Sequence, residues 1–145
     1  MHTTHANSRL ALLLLYLFVV SALLCLAGCG GKANKTARGT AQAFVHFMKA
    51  AQYKDAALLW DYTDQTSENP DFGTAASGQQ KLIIGKLAEE KAQVMEQWSS
   101  HFSGDVKVMT VEESGETAKA TVEGGGISGL DLVKQEDGWH VTAIN

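Results

Sequence analysis

The chain has 145 residues, 45% hydrophobic and 19% charged, with 12 Lys+Arg against 16 Asp+Glu and two cysteines. That length suits one modest domain plus an extra segment, and a globule of this size buries roughly two thirds of its unfolded-chain surface without needing staples. The acidic balance argues against a nucleic-acid surface.

Residues 1–28 open with a polar, weakly basic stretch (His2, His5, Arg9) and continue into a run from Leu10 to Gly28 that carries no charge. Such a run is a signal peptide or a membrane helix, and its length, near the lower limit of about 17 residues for a span, does not separate the two. The residues that end it do: Leu26, Ala27, Gly28 and Cys29 match the lipobox of bacterial lipoproteins position by position. Small side chains at Ala27 and Gly28 give a membrane peptidase access to the backbone, and a thiol is the group that accepts lipid. The resemblance implies cleavage between Gly28 and Cys29. It also implies a diacylglyceryl thioether on Cys29, a further acyl group on its new amine in many bacteria, and so a membrane anchor. Two or more chains hold stably at about 0.8 kcal/mol per buried methylene, where one chain is marginal. Gly30 after the cysteine, where the best-known sorting rule places aspartate for inner-membrane retention, favours the periplasmic face of the outer membrane in a two-membrane host.

With Cys25 in the removed run and Cys29 alkylated, the mature chain keeps no free thiol, so disulfides, cysteine zinc sites and cysteine nucleophiles are excluded. Residues 29–39 are expected to be the lipidated cysteine and a flexible tether. Small and basic residues fill its part from Gly30 to Gly39, which reaches about 30 Å when stretched. The domain is then expected over 40–145.

From Thr40, apolar residues at Ala41, Phe44, Val45, Met48 and Ala51 recur at helical spacing and predict a first amphipathic helix. Tyr53 to Tyr62 predicts a short second helix. Thr63 to Gly78 has no period, contains the only proline, Pro70, and is expected to be a loop. Gln79 to Phe102 restores helical spacing and is expected to be the longest helix.

The remaining third is rich in Val and Thr between glycine turns, which predicts four antiparallel strands. A three-residue turn at Glu113, Ser114 and Gly115 pairs Val106 with Val122 and Val108 with Ala120. Thr110 then lies inside and Met109 and Val111 outside. Gly124 to Gly126 form a mobile strand connection, and Asp137 with Gly138 turns the chain into Trp139, Val141, Ala143 and Ile144. About three helices followed by about four antiparallel strands give an α+β fold with helices on one sheet face.

Phe44 to Met48, Tyr53 to Ala57 and the closing run from Leu132 to Val141 resemble small lipoproteins of the nuclear-transport-factor-2-like superfamily, which has the cystatin-like fold. The resemblance spans nearly all of Thr40 to Asn145. It implies a curved sheet around a long helix and a cone-shaped pocket, with Phe44, Met48, Trp60, Trp98 and Trp139 as lining. Superfamily members include enzymes and pure interaction modules, so an activity does not follow from the fold.

Candidate chemistry is sparse. His46 lies on the first helix with no acid or cysteine at ligand spacing, His101 suits the carboxyl end of the long helix, and His140 should point opposite to Trp139 and Val141, toward solvent or toward the helices. Asp55, Asp61, Asp64, Glu68 and Asp71 match no calcium loop, and the glycines at 124–126 open no helix, so no metal, cofactor or phosphate cradle is expected. Isomerase-like catalysis needs a carboxylate base with phenol or acid donors; Tyr53, Tyr62, Asp61 and Asp131 supply the types without a spacing that joins them, and no catalytic residue is assigned. Three readings stay open. The domain is a non-enzymatic module for an envelope protein or a small apolar ligand, an enzyme of the isomerase or dehydratase type, or a module that dimerises through its sheet face.

Overall fold

Thr36, extended at φ −131° and ψ 148°, accepts a hydrogen bond on its side-chain oxygen from the Gly39 amide at 3.0 Å, and this cap starts helix α1 at Ala37. The computed structural model describes residues 33–145. The leader, the Leu26–Cys29 motif and the chain to Lys32 lie outside the described residues. Helix α1 (Ala37–Lys49) buries Ala37, Thr40, Ala41, Phe44, Val45 and Met48 along one stripe. It therefore begins three residues before Thr40, and a 3-10 turn at Ala33–Lys35 precedes it. Residues 33–39 belong to the folded unit and not to a tether, because the cap and the buried Ala37 fix them. The helix ends in a Schellman arrangement: Ala51 N–H donates to the Met48 carbonyl and Gln52 N–H to that of Phe47, with Ala51 at φ 56°.

Helix α2 (Tyr53–Ala57) is shorter than Tyr53–Tyr62. The competing demand comes from the sheet: Asp61 N–H donates to Val141 O and Val141 N–H to Leu59 O, both at 2.8 Å, so the chain leaves the helix in a turn and Trp60 forms a parallel bridge with Val141 of the last strand. That contact also covers an edge that would otherwise expose unpaired backbone. The expected loop contains a short helix α3 (Thr63–Ser67) with no buried residue. Local hydrogen bonds hold it: Thr63 donates its amide and hydroxyl to the Asp61 carboxylate, and Thr66 its hydroxyl to Tyr62 O. Helix α4 (Ser77–Gln97) stops before Phe102, and a separate 3-10 turn covers Ser99–Phe102.

Strands β1 (Lys107–Ser114), β2 (Thr117–Glu123), β3 (Gly129–Gln135) and β4 (Gly138–Ile144) form one antiparallel sheet in sequence order. The fold is α+β, with four α-helices and a four-stranded sheet among the described residues. Helix α1 packs across all four strands. Phe44 lies at the centre, its ring 6.0 Å from Phe102 and 6.3 Å from Trp60.

The first hairpin departs from expectation. Its turn has two residues, Gly115 and Glu116, with Ser114 opposite Thr117, Val111 opposite Ala120 and Val108 opposite Val122. Gly115 has φ 64°, as the first central position of such a turn favours. An irregularity between Val108 and Thr110 inserts one extra residue, so Val108 and Val111 both pack on the core while Thr110 is exposed and Met109 is 48% exposed. A bulge thus does what the three-residue turn was invoked to do, and Val111 leaves the outer face. The last turn is Glu136–Asp137, between Gln135 and Gly138. The glycines at 124–126 are held against the rest of the fold: Gly126 N–H donates to His101 O, and a Cβ on Gly124 would fall 2.3 Å from Asp105 O.

Candidate functional site

The α2–α3 segment, the start of α4 and the β3–β4 turn leave between them a cavity of about 690 Å³, within the size range of small-molecule sites. Leu58, Trp60, Phe72 and Ile84 make its apolar wall, and Lys81, Glu136 and His140 are among its polar residues. Tyr62 contributes only its ring, since its hydroxyl is buried and donates to Ala57 O at 2.8 Å. Burial without a charge partner pushes that phenol well above its ordinary value.

His140 is 8% exposed. The register sets it opposite Val133 and Trp139 opposite Lys134, so by alternation it points away from Trp139, into a covered wall of the cavity. Its Nε2 lies 2.8 Å from Asp137 Oδ1, while Nδ1 is buried with no partner. A carboxylate at Nε2 places the proton there in the neutral ring and leaves Nδ1 as an acceptor. A buried acceptor without a donor costs about 1–3 kcal/mol, which makes this the wall's most demanding polar atom.

Behind Trp60 the Lys91 ammonium lies 3.8 Å from one indole ring and 5.1 Å from that of Trp98. Its partial desolvation holds the lysine below its usual value. This cation–π clamp ties Trp60 of the cavity wall to helix α4.

Of the five expected lining residues, Trp60 walls this cavity and Trp98 a smaller one of about 320 Å³ beside His101 and Phe102. Phe44, Met48 and Trp139 are buried core and line neither. Their helical and strand spacing marks buried positions, and spacing alone does not tell a cavity wall from a filled core. Tyr53, Tyr62, Asp61 and Asp131 do not form a catalytic group: Asp61 accepts from Thr63 and from Gln135 Nε2, Tyr62 is tied to Ala57, and Asp131 stands on β3 between Lys119 and Ala143. His46 and His101 are exposed. His46 borders a groove of about 580 Å³ between α1 and β1, where Lys49 Nζ donates to Val106 O. Among the described residues, no group of three or more His, Cys, Asp or Glu is placed to hold a metal.

Sequence reasoning missed the Asp137–His140 pair and the Lys91 clamp. The first had a readable signal, since Asp137 in a tight turn three residues before a strand histidine brings the two side chains to one end of the hairpin. The second has a local half, Lys91 and Trp98 seven positions apart on one helix face, but its contact with Trp60, 31 positions away, left no signal.

No protein-family model matches the chain, and neither does any curated protein. Among solved structures it is similar to a Campylobacter jejuni protein named as a candidate NTF2-like transpeptidase, at 14% identity and a TM-score of 0.38, over 70% of this chain and 93% of that one.

Proposed function

We propose that this chain is a lipid-anchored cell-envelope protein whose domain, of the nuclear-transport-factor-2-like type, binds a small and largely apolar ligand without transforming it. The observation that carries the binding reading is the cavity of about 690 Å³ walled by Trp60 and by the oriented, nearly buried His140. The lipobox at Leu26, Ala27, Gly28 and Cys29 supports the anchor, with the outer membrane as its place in a two-membrane host. The test is mass spectrometry on the full chain from bacterial membranes. Anchoring predicts an amino-terminal peptide that starts at Cys29 and carries acyl groups, with Cys29→Ser leaving the leader uncleaved. Binding predicts a small-molecule adduct in the native spectrum that is lost on unfolding. A bare, stoichiometric dimer would favour an interaction module instead.

The Asp137–His140 pair favours a second reading, an isomerase or dehydratase in which Nδ1 accepts a proton from the ligand. Turnover of the captured ligand that His140→Gln abolishes would establish it over simple binding.

A further inference from the structure

We infer that the cavity beside His140 takes a single-chain amphiphile with a zwitterionic head, drawn from the surface of the membrane that holds the protein. The inference rests on the anchoring proposed above and adds the class and the source of the ligand. Two independent features of the fold lead to it.

The first is where the chain enters the domain. Asn34 Nδ2 donates to Asp137 O at 3.0 Å, and a Cβ on Gly138 would fall 2.5 Å from Asn34 O, so the amino-terminal entry is packed on the β3–β4 turn. That same turn gives Glu136 and Asp137 to the cavity wall. From a lipidated Cys29 to Ala33 there are four residue steps, which extend at most about 14 Å. A lipid anchor therefore keeps this turn, and with it the cavity, within reach of the headgroups.

The second is the chemistry of the wall. Leu58, Trp60, Phe72 and Ile84 suit a hydrocarbon chain, and Leu58 leaves half its surface exposed at the rim. The polar lip carries Lys81 from α4 and Glu136 from the turn, of opposite sign, and neither has an ion-pair partner among the described residues. Asp137, the other acid there, is engaged by His140. A head with an ammonium for Glu136 and an anionic group for Lys81 satisfies both, whereas a fatty acid or a cationic surfactant satisfies one and is repelled by the other.

The test uses the full lipidated chain in vesicles of phosphatidylethanolamine and phosphatidylglycerol, with added lysophosphatidylethanolamine brominated on its chain. Trp60 reports: saturable quenching of tryptophan fluorescence is expected, reduced in Trp60→Phe and weakened by Ile84→Phe, which narrows the apolar wall. Lys81→Glu should raise the half-saturating amount about threefold, the order expected for one exposed ion pair. Brominated fatty acid should bind more weakly than the lysolipid. A Gly/Ser insert of 24 residues between Lys32 and Ala33, with a typical span of about 25–30 Å, should keep the anchor and slow capture from the bilayer. Absence of quenching in a chain whose acyl groups are verified would overturn the inference and leave the anchor standing. Equal response to brominated fatty acid would refute the zwitterionic head, and unchanged capture with the insert would refute the bilayer source. A chain without acyl groups would instead fail the anchoring reading, and quenching by monomeric lysolipid in that chain would still decide the ligand class.

Discussion

Replacing Tyr62 by Phe should destabilise the domain at neutral pH and stabilise it in strong base. At pH 7 the variant loses the hydrogen bond from the hydroxyl to Ala57 O. That carbonyl still accepts from Trp60 N–H at 3.1 Å, so no orphan acceptor is created and the loss is about 1 kcal/mol. For a unit of this size that is about 4 °C in Tm. In base the sign changes. Burial raises the phenol of the folded state above its ordinary value, so the unfolded chain ionises first. A group whose folded pKa is raised contributes stability below its unfolded pKa and loses it above, here at about 1.4 kcal/mol per pH unit beyond pH 10. The two effects cancel at about pH 10.6, above which the variant is the more stable protein. Urea unfolding of residues 33–145 at pH 7, 9, 10.5 and 11, followed by circular dichroism, measures the difference; the other titrating groups are shared and drop out. A deficit that stays constant from pH 7 to 11 would refute the reasoning, since it would mean that the hydroxyl reaches water in the folded state.

Ala51→Gly should raise stability by about 1 kcal/mol in the same assay, because Ala51 holds the left-handed position of the Schellman end at φ 56°. Thr36→Ala should lower it by about 1 kcal/mol through loss of the α1 cap, whereas a variant indistinguishable from the parent would return residues 33–39 to the tether. Gly124→Ala, at φ 90° and with its Cβ driven to 2.3 Å from Asp105 O, should cost about 1–3 kcal/mol in thermal unfolding. Lys91, held low by desolvation, binds its proton less readily folded than unfolded. Stability should therefore rise with pH as the ordinary lysine value of 10.5 is approached. Lys91→Met should lack that rise when the two are compared by urea midpoint between pH 8 and pH 10.

The sequence by itself determined the elements whose pattern is local. The stripe through Ala41, Phe44, Val45 and Met48 marked α1, and alternation through Ala118, Ala120 and Val122 marked β2, because periodic burial against one partner leaves a periodic sequence. The α+β layout and the four antiparallel strands follow from such patterns. The resemblance of Leu26, Ala27, Gly28 and Cys29 to a lipobox, on which the proposed anchor rests, is local in the same sense, since it uses four adjacent positions.

Only the tertiary structure decided what depends on distant parts of the chain. The end of α2 was illegible because residues 59–61 are claimed by the edge of β4, some 80 positions away. The bulge at Met109 reversed the placement of Val111 since register answers to the partner strand and the core together. Helix α3 left no apolar period to read, because side-chain hydrogen bonds and not burial hold it. The site followed the same rule. His140, Trp60 and Lys81 sit on three separate elements, and a cavity is a property of how elements fail to fill space, which no single stretch of sequence records.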